Sequence, residues 1–198
     1  MSPECPVCRE SSSDFLVHKK CEDKINLDSL VVHCEYNDVA QKVVELLKFR
    51  FDKRFANIIA EKISTNIYFQ QFISPNTIFV PVPLFKKRLK WRGFNQAEEI
   101  ALSLQKIVER EVPIKNILIR VKETQQQAKL NKAQRMKNVE SAFEINSEFL
   151  ELNKIKKDAN IILIDDVTTT CSTLDECAKI LESYGFKNVS GVVFARGK

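Results

Sequence analysis

Residues 160–179, NIILIDDVTTTCSTLDECAK, are where hydrophobicity, charge and hydroxyl content change in register. Ile161, Ile162, Leu163 and Ile164 form a short apolar run rich in β-branched residues, the pattern of a strand buried on both faces of a parallel sheet. Further on, Leu174, Cys177, Ala178, Leu181 and Tyr184 recur at three- and four-residue spacing, which predicts a helix over 174–184 closed by Gly185. The next apolar run, 189–195, completes a unit of strand, helix and strand. Such units are right-handed and parallel, and in open α/β sheets ligands bind beyond the carboxyl ends of the strands. The stretch therefore predicts an α/β fold built on a parallel sheet, with its ligand end at Asp165.

Asp165 and Asp166 stand at that end, followed after Val167 by Thr168, Thr169, Thr170, Cys171, Ser172 and Thr173. Ahead of a helix, such a loop turns backbone N–H groups and hydroxyls toward one point, where the helix dipole also favours an anion. It reads as a phosphate cup. Two carboxylates beside it suit a sugar phosphate: they can accept hydrogen bonds from vicinal ribose hydroxyls and help hold a hydrated Mg²⁺. A purely structural use also exists, because Thr173 with Glu176 fits a capping box. The order of four apolar residues, two acids and a hydroxyl loop resembles the phosphoribosyl-pyrophosphate (PRPP) signature of type I phosphoribosyltransferases. The chain departs from it at Cys171, where that family normally has Gly. Gly accepts unusual dihedrals and lets backbone approach a phosphate, whereas Cys adds a Cβ. Its thiol, near a helix N-terminus, is either a reactive group of lowered pKa or a small filler.

With 198 residues and 44% hydrophobic content, the chain has room for one substantial domain and a small appendage. No stretch approaches the roughly 20 apolar residues of a membrane span, and the N-terminus lacks a signal-peptide h-region, so a cytoplasmic protein is expected. The net charge of +5 is mild, but Lys and Arg cluster: Lys48, Arg50, Lys53 and Arg54; Lys86, Lys87, Arg88, Lys90 and Arg92; Lys129, Lys132, Arg135 and Lys137. These clusters suit a pyrophosphate or a nucleic acid, or they form solvated faces. Four glycines, no internal repeat, no GxGxxG and no P-loop argue against the common nucleotide-binding motifs.

The N-terminal segment has its own chemistry. Cys5 and Cys8 in CPVC, with His18 and Cys21 in HKKC, give C-x2-C-x9-H-x2-C. Each pair can grip one side of a tetrahedral ion, and N/S ligands select zinc. So short and polar a segment hardly folds without metal. The spacing fits a knuckle or ribbon, which divides the chain into a zinc-binding module at 1–27 and a main domain at 28–198. A metal-free tail and a disulfide are the other readings of these cysteines, the latter disfavoured in a reducing cytosol. His33 and Cys34 are rival ligands, but alternation along 30–36 turns them to opposite faces of a strand.

Between these regions the pattern predicts helices over 38–49 and 52–72. Val39, Val43, Leu46 and Leu47 form the apolar stripe of the first, and Phe55, Ile58, Ile59 and Ile63 that of the second. A strand at 78–80 ends in Pro81-Val82-Pro83-Leu84. A basic loop follows, then a helix capped by Asn95 and Glu98 and running to about residue 110. The plain reading of RGFNQ (92–96) is a turn plus cap, with Phe94 and the preceding Trp91 docking on the core. Residues 117–121 read as a strand and 146–158 as a polar linker. The Gln-rich stretch with a basic helix between them has few apolar anchors and reads as a mobile lid.

The run VPVPL, basic loop, RGFNQAE and helix resembles the ComF (late competence) family of phosphoribosyltransferase-like proteins. LKFRF is similar to that family's LK-basic turn. Arg120, Thr124, Gln127, Leu130, Arg135, Asn138, Ala142 and Phe143 match its pattern from R-x-x-x-T-x-x-Q to A-F. The resemblance covers 5–196. It implies a type I phosphoribosyltransferase fold, a parallel sheet with helices on both faces, plus the zinc module. It also implies a role in DNA uptake or processing, with single-stranded DNA or a competence helicase-like ATPase as partner. On this reading Asp165 and Asp166 take the ribose hydroxyls, 168–173 the 5′-phosphate, and Lys87, Arg88 and Arg92 the pyrophosphate side. Mg²⁺ accompanies PRPP and zinc is structural. No residue stands out as a general base, and neither the acceptor nor the oligomeric state is legible. The alternative is a non-catalytic adaptor that keeps the cup and uses its zinc module and basic surfaces to bind single-stranded DNA or a competence ATPase.

Overall fold

Ile161, Ile162, Leu163 and Ile164 are all fully buried, as a strand flanked by two parallel neighbours and covered on both faces must be. The computed structural model describes residues 2–50, 52–108, 111–124, 132–147 and 155–197. Two 3₁₀ turns, Ser13–Phe15 and Lys19–Lys24, come first. They are followed by β1 (Ser29–Glu35), α1 (Asp38–Phe49), α2 (Arg54–Ser64), α3 (Ile67–Gln71) and β2 (Thr77–Pro81). The chain continues through α4 (Lys86–Arg92), α5 (Gln96–Ile107), β3 (Leu118–Arg120), α6 (Lys132–Val139), β4 (Phe143–Ile145), β5 (Asn160–Thr168), α7 (Ser172–Ser183) and β6 (Asn188–Arg196).

β1, β6, β5 and β2 form a parallel sheet in that order, so the fold is α/β as expected. Helices α2 and α5 cover one face, and α7 covers the other with the β3–β4 ribbon beyond it. Gly191 on β6 permits the α7 packing, because a Cβ there would meet Leu30 Cδ1 at 2.9 Å and Leu174 Cδ1 at 3.4 Å. The N-terminal segment shares this core: Phe15 and Leu27 are buried in it, and Phe15 meets Tyr68 edge-on at 5.4 Å.

Several elements differ from the sequence reading. Residues 117–121 do not join the main sheet; β3 pairs antiparallel with β4 instead. The helix expected over 52–72 breaks at Asn66, whose side chain accepts from the Tyr68 N–H and starts α3. The basic run at 86–92 is a helix rather than a loop, since Lys, Arg and Leu all favour helix and Gly93, at φ 79, ends it. In α1 the buried residues are Ala40, Val44 and Leu47, while Val39 faces solvent, and in α2 Ile58 is exposed. Phe94 is buried but Trp91 is exposed. Gln127 and Leu130 lie outside the described residues, as does the rest of 125–131, while the basic part of the expected lid forms α6. Among the described residues no helix is long and apolar enough to cross a membrane.

Candidate functional site

The strand that carries the acids does not stop before them. β5 continues to Thr168, with Asp165 opposite Val193, Val167 opposite Ala195 and Thr168 opposite Arg196 of β6. Because strand residues alternate, the two carboxylates leave on opposite faces. Asp166, 2% exposed, turns to the α1 side and pairs with Lys48 Nζ at 2.5 Å. Asp165 turns to the α7 side, near Arg120 and Cys177. Burial and the neighbouring Asp166 charge push the Asp165 carboxyl well above the usual carboxylate range. Burial acts on Asp166 too, but Lys48 and Arg92 outweigh it and hold Asp166 low. The two carboxyls thus differ in proton affinity, Asp165 holding its proton the more tightly.

Cations surround this end. Arg92, 7% exposed, donates from Nη1 to Gln96 Oε1, and its Nε has no partner. Arg120 donates from Nη2 to Thr124 Oγ1 and lies over the Phe143 ring at 5.1 Å; its buried Nε is also unpartnered. Burial lowers both guanidinium pKa values, as does the charge of Arg88, which is a neighbour of each. Lys87 sits apart in an exposed ion pair with Glu123 at 3.2 Å. Sequence reasoning leaves Lys48 between site and solvent and assigns Arg120 no role; their approach to the acids is a long-range property of the fold.

The hydroxyl loop is short. Thr168 Oγ1 accepts from Cys171 N–H at 3.2 Å, Thr170 and Ser172 hydroxyls are 2.9 Å apart, and the buried Thr169 Oγ1 has no partner. Helix α7 begins at Ser172, so Thr173 lies inside it and is not the N-cap of a capping box; that position belongs to Cys171. Cys171 adopts φ 63, ψ 0, the left-handed conformation that Gly adopts freely. Its thiol is buried against the Pro6 carbonyl, and burial pushes its pKa up, so it is a filler and not a reactive group.

At the N-terminus, the ligand atoms of Cys5, Cys8 and His18 lie within 4.8 Å of one another and can hold a metal ion. Cys8 Sγ is 3.3 Å from His18 Nδ1, while His18 Nε2 donates to the Ser11 carbonyl at 3.0 Å. That bond leaves Nδ1 as the free ligand nitrogen. Cys21 is buried, and its thiol interacts with those of Cys5 and Cys8. Burial opposes ionisation of Cys5, but the backbone N–H groups of Cys8, His18 and Val7 bring its pKa down to about 7, toward the thiolate a metal needs. His33 stacks on Phe194 at 5.7 Å and Cys34 donates to the Phe194 carbonyl at 3.4 Å, so both have partners in the sheet.

No family model matches the chain. It is similar to competence protein ComFC of Bacillus subtilis, at 31% identity over 189 residues covering 91% of this chain and 72% of the relative. It is also similar to competence protein F of Haemophilus influenzae, at 29% identity over 194 residues covering 94% of this chain and 82% of the relative. With identity at this level across nearly the whole chain, the protein belongs to the ComF family of competence proteins.

Proposed function

We propose that the carboxyl end of β5 binds PRPP or a related ribose 5-phosphate, within a fold of the type I phosphoribosyltransferase kind. The carrying observation is a buried carboxylate pair of unequal proton affinity beside a hydroxyl loop, ringed by Lys48, Arg88, Arg92 and Arg120. The partnerless Arg92 Nε, Arg120 Nε and Thr169 Oγ1 are buried donors that an anion would satisfy. In this reading the loop at 168–173 takes the 5′-phosphate, Asp165 and Asp166 the ribose hydroxyls, and Arg88 and Arg92 the pyrophosphate, with Lys87 at the rim. The acids also fit Mg²⁺, which would neutralise pyrophosphate charge. Transfer would break the bond from the ribose carbon to pyrophosphate, which leaves with the electron pair, as an acceptor forms the new bond. The protein's contribution is positioning and charge stabilisation. Cys5, Cys8, His18 and Cys21 hold a structural zinc ion in the module at 1–27.

The test is thermal unfolding with PRPP and Mg²⁺. The wild type gains stability with ligand concentration, whereas Asp165→Asn/Asp166→Asn gains none; a wild type that ignores PRPP contradicts the reading.

A second reading, a DNA-binding adaptor, is favoured by Phe49 and Trp91. These rings are 53% and 60% exposed, meet edge-on at 6.3 Å, and belong to the basic runs of α1 and α4. Exposed aromatics among cations suit stacking on unpaired bases. Salt-sensitive binding of single-stranded DNA that survives Asp165→Ala/Asp166→Ala but not Trp91→Ala would support it.

A further inference from the structure

Pro6, between the ligand residues Cys5 and Cys8, is where the N-terminal knuckle meets the hydroxyl loop. Its carbonyl accepts from Arg196 Nη2 at 2.6 Å and from the Cys171 thiol at 3.8 Å. Arg9, directly after Cys8, makes a second tie: its Nη2 donates to the Thr169 carbonyl at 3.0 Å and to the Gly197 carbonyl at 2.9 Å. Gly197 in turn donates its N–H to the Thr168 carbonyl at 2.8 Å. A Cβ on Gly197 would meet Thr169 Cγ2 at 2.9 Å, so this approach needs glycine. Within the clasp Cys171 holds φ 63 although it has a Cβ. Such a conformation persists when its surroundings over-determine it, and here they include the knuckle.

We propose that Arg9, Cys171 and Arg196 are positioning residues that couple the metal knuckle to the phosphate loop, so that an ion on Cys5, Cys8 and His18 fixes the backbone at 169–172. The loop coupling stands on these contacts; its consequence for ligand binding rests on the ribose-phosphate reading. Two ligands gripping one ion fix the carbonyl between them. Without the ion, the turn keeps its backbone bonds, Arg9 N–H to Cys5 O at 3.0 Å and Cys5 N–H to Glu10 O at 2.9 Å. Pro6 is then free to shift, and the loop loses the surface against which Cys171 is packed. Linkage makes the effect reciprocal: a phosphate ester in the loop tightens binding of the ion.

Amide hydrogen exchange on the full-length protein tests the coupling, with metal-loaded and chelator-treated wild type beside metal-loaded Arg9→Ala. Chelation is expected to speed exchange at 168–173 about tenfold while β2 and α5 stay unchanged. Arg9→Ala gives the same rise at unchanged metal content. In a second arm, ribose 5-phosphate raises the chelator concentration that removes half the metal at equilibrium about fivefold in the wild type and not in Arg9→Ala, a linkage that a merely structural arginine would not produce. Loop exchange indifferent to both chelation and Arg9→Ala overturns the proposal. A loop that responds to metal, with no effect of ribose 5-phosphate on extraction, supports the coupling and counts against the ribose-phosphate reading alone.

Discussion

The N-terminal knuckle and the tip of β5 touch each other, yet they are ordered by different means. The tip extends a strand buried on both faces, and its Asp166 carboxylate is held by cations from α1 and α4. The knuckle has two 3₁₀ turns, a buried Phe15 and a convergence of Cys and His side chains. Order at the tip thus comes from packing between distant parts of the chain, whereas the N-terminal segment gathers, within a short span of sequence, Cys5, Cys8 and His18 as a set that could hold a metal ion.

The sharpest way to break this contrast is to remove a ligand. Structural zinc sites supply on the order of 10 kcal/mol of apparent folding free energy, so Cys5→Ser should lose the ion and loosen the loop at 168–173 while the sheet stays folded. Metal analysis with hydrogen exchange reads both, and full metal content in the variant would refute the ligand assignment. At the tip, Asp166→Ala leaves Lys48 and Arg92 without their countercharge. A loss of about 3–5 kcal/mol is expected in denaturant unfolding, the cost of breaking a buried pair. A loss below about 1 kcal/mol would mean that the pair behaves as an exposed one.

Asp165 should respond in the opposite sense. Its folded pKa is raised, so its contribution to stability is full below the unfolded carboxylate pKa and is lost as pH rises through the folded value. Asp165→Asn keeps shape and removes that loss. The variant should therefore gain on the wild type as pH rises above the unfolded carboxylate value of about 4, by on the order of 1 kcal/mol for each tenfold difference in proton affinity between the folded and unfolded chains. Parallel stability curves for the two proteins would contradict a raised proton affinity at Asp165. The smallest effect is expected at Trp91→Ala, within about 0.5 kcal/mol of wild-type stability because the ring is exposed. Under the adaptor reading this substitution still weakens single-stranded DNA binding, which a gel-shift series in salt would detect.

What the sequence discloses follows the same division. Ligand spacing at Cys5, Cys8, His18 and Cys21, the apolar run at 161–164 and the helix before Gly185 are local patterns, and each is legible. The continuation of β5 through two acids is not, because Asp is a poor strand former and only the ladder to Val193, Ala195 and Arg196 carries it there. Charge also misleads at 86–92, where a basic run suggests a loop although its residues favour helix. Lys48 reaches Asp166 across more than half the chain, and the Arg9 clasp joins the two ends of the sequence. No short-range signal announces either. Cys171 is legible as a departure from glycine, but the packing that sustains its left-handed backbone depends on Pro6.

The most direct measurement is calorimetric titration of PRPP with Mg²⁺ into the wild type and into Asp165→Asn/Asp166→Asn, with the fold of each confirmed beforehand. Saturable binding to the wild type that vanishes in the variant is the predicted result. A folded wild type that produces no binding heat, or a variant that binds as well as the wild type, would contradict a ribose-phosphate site at the tip of β5.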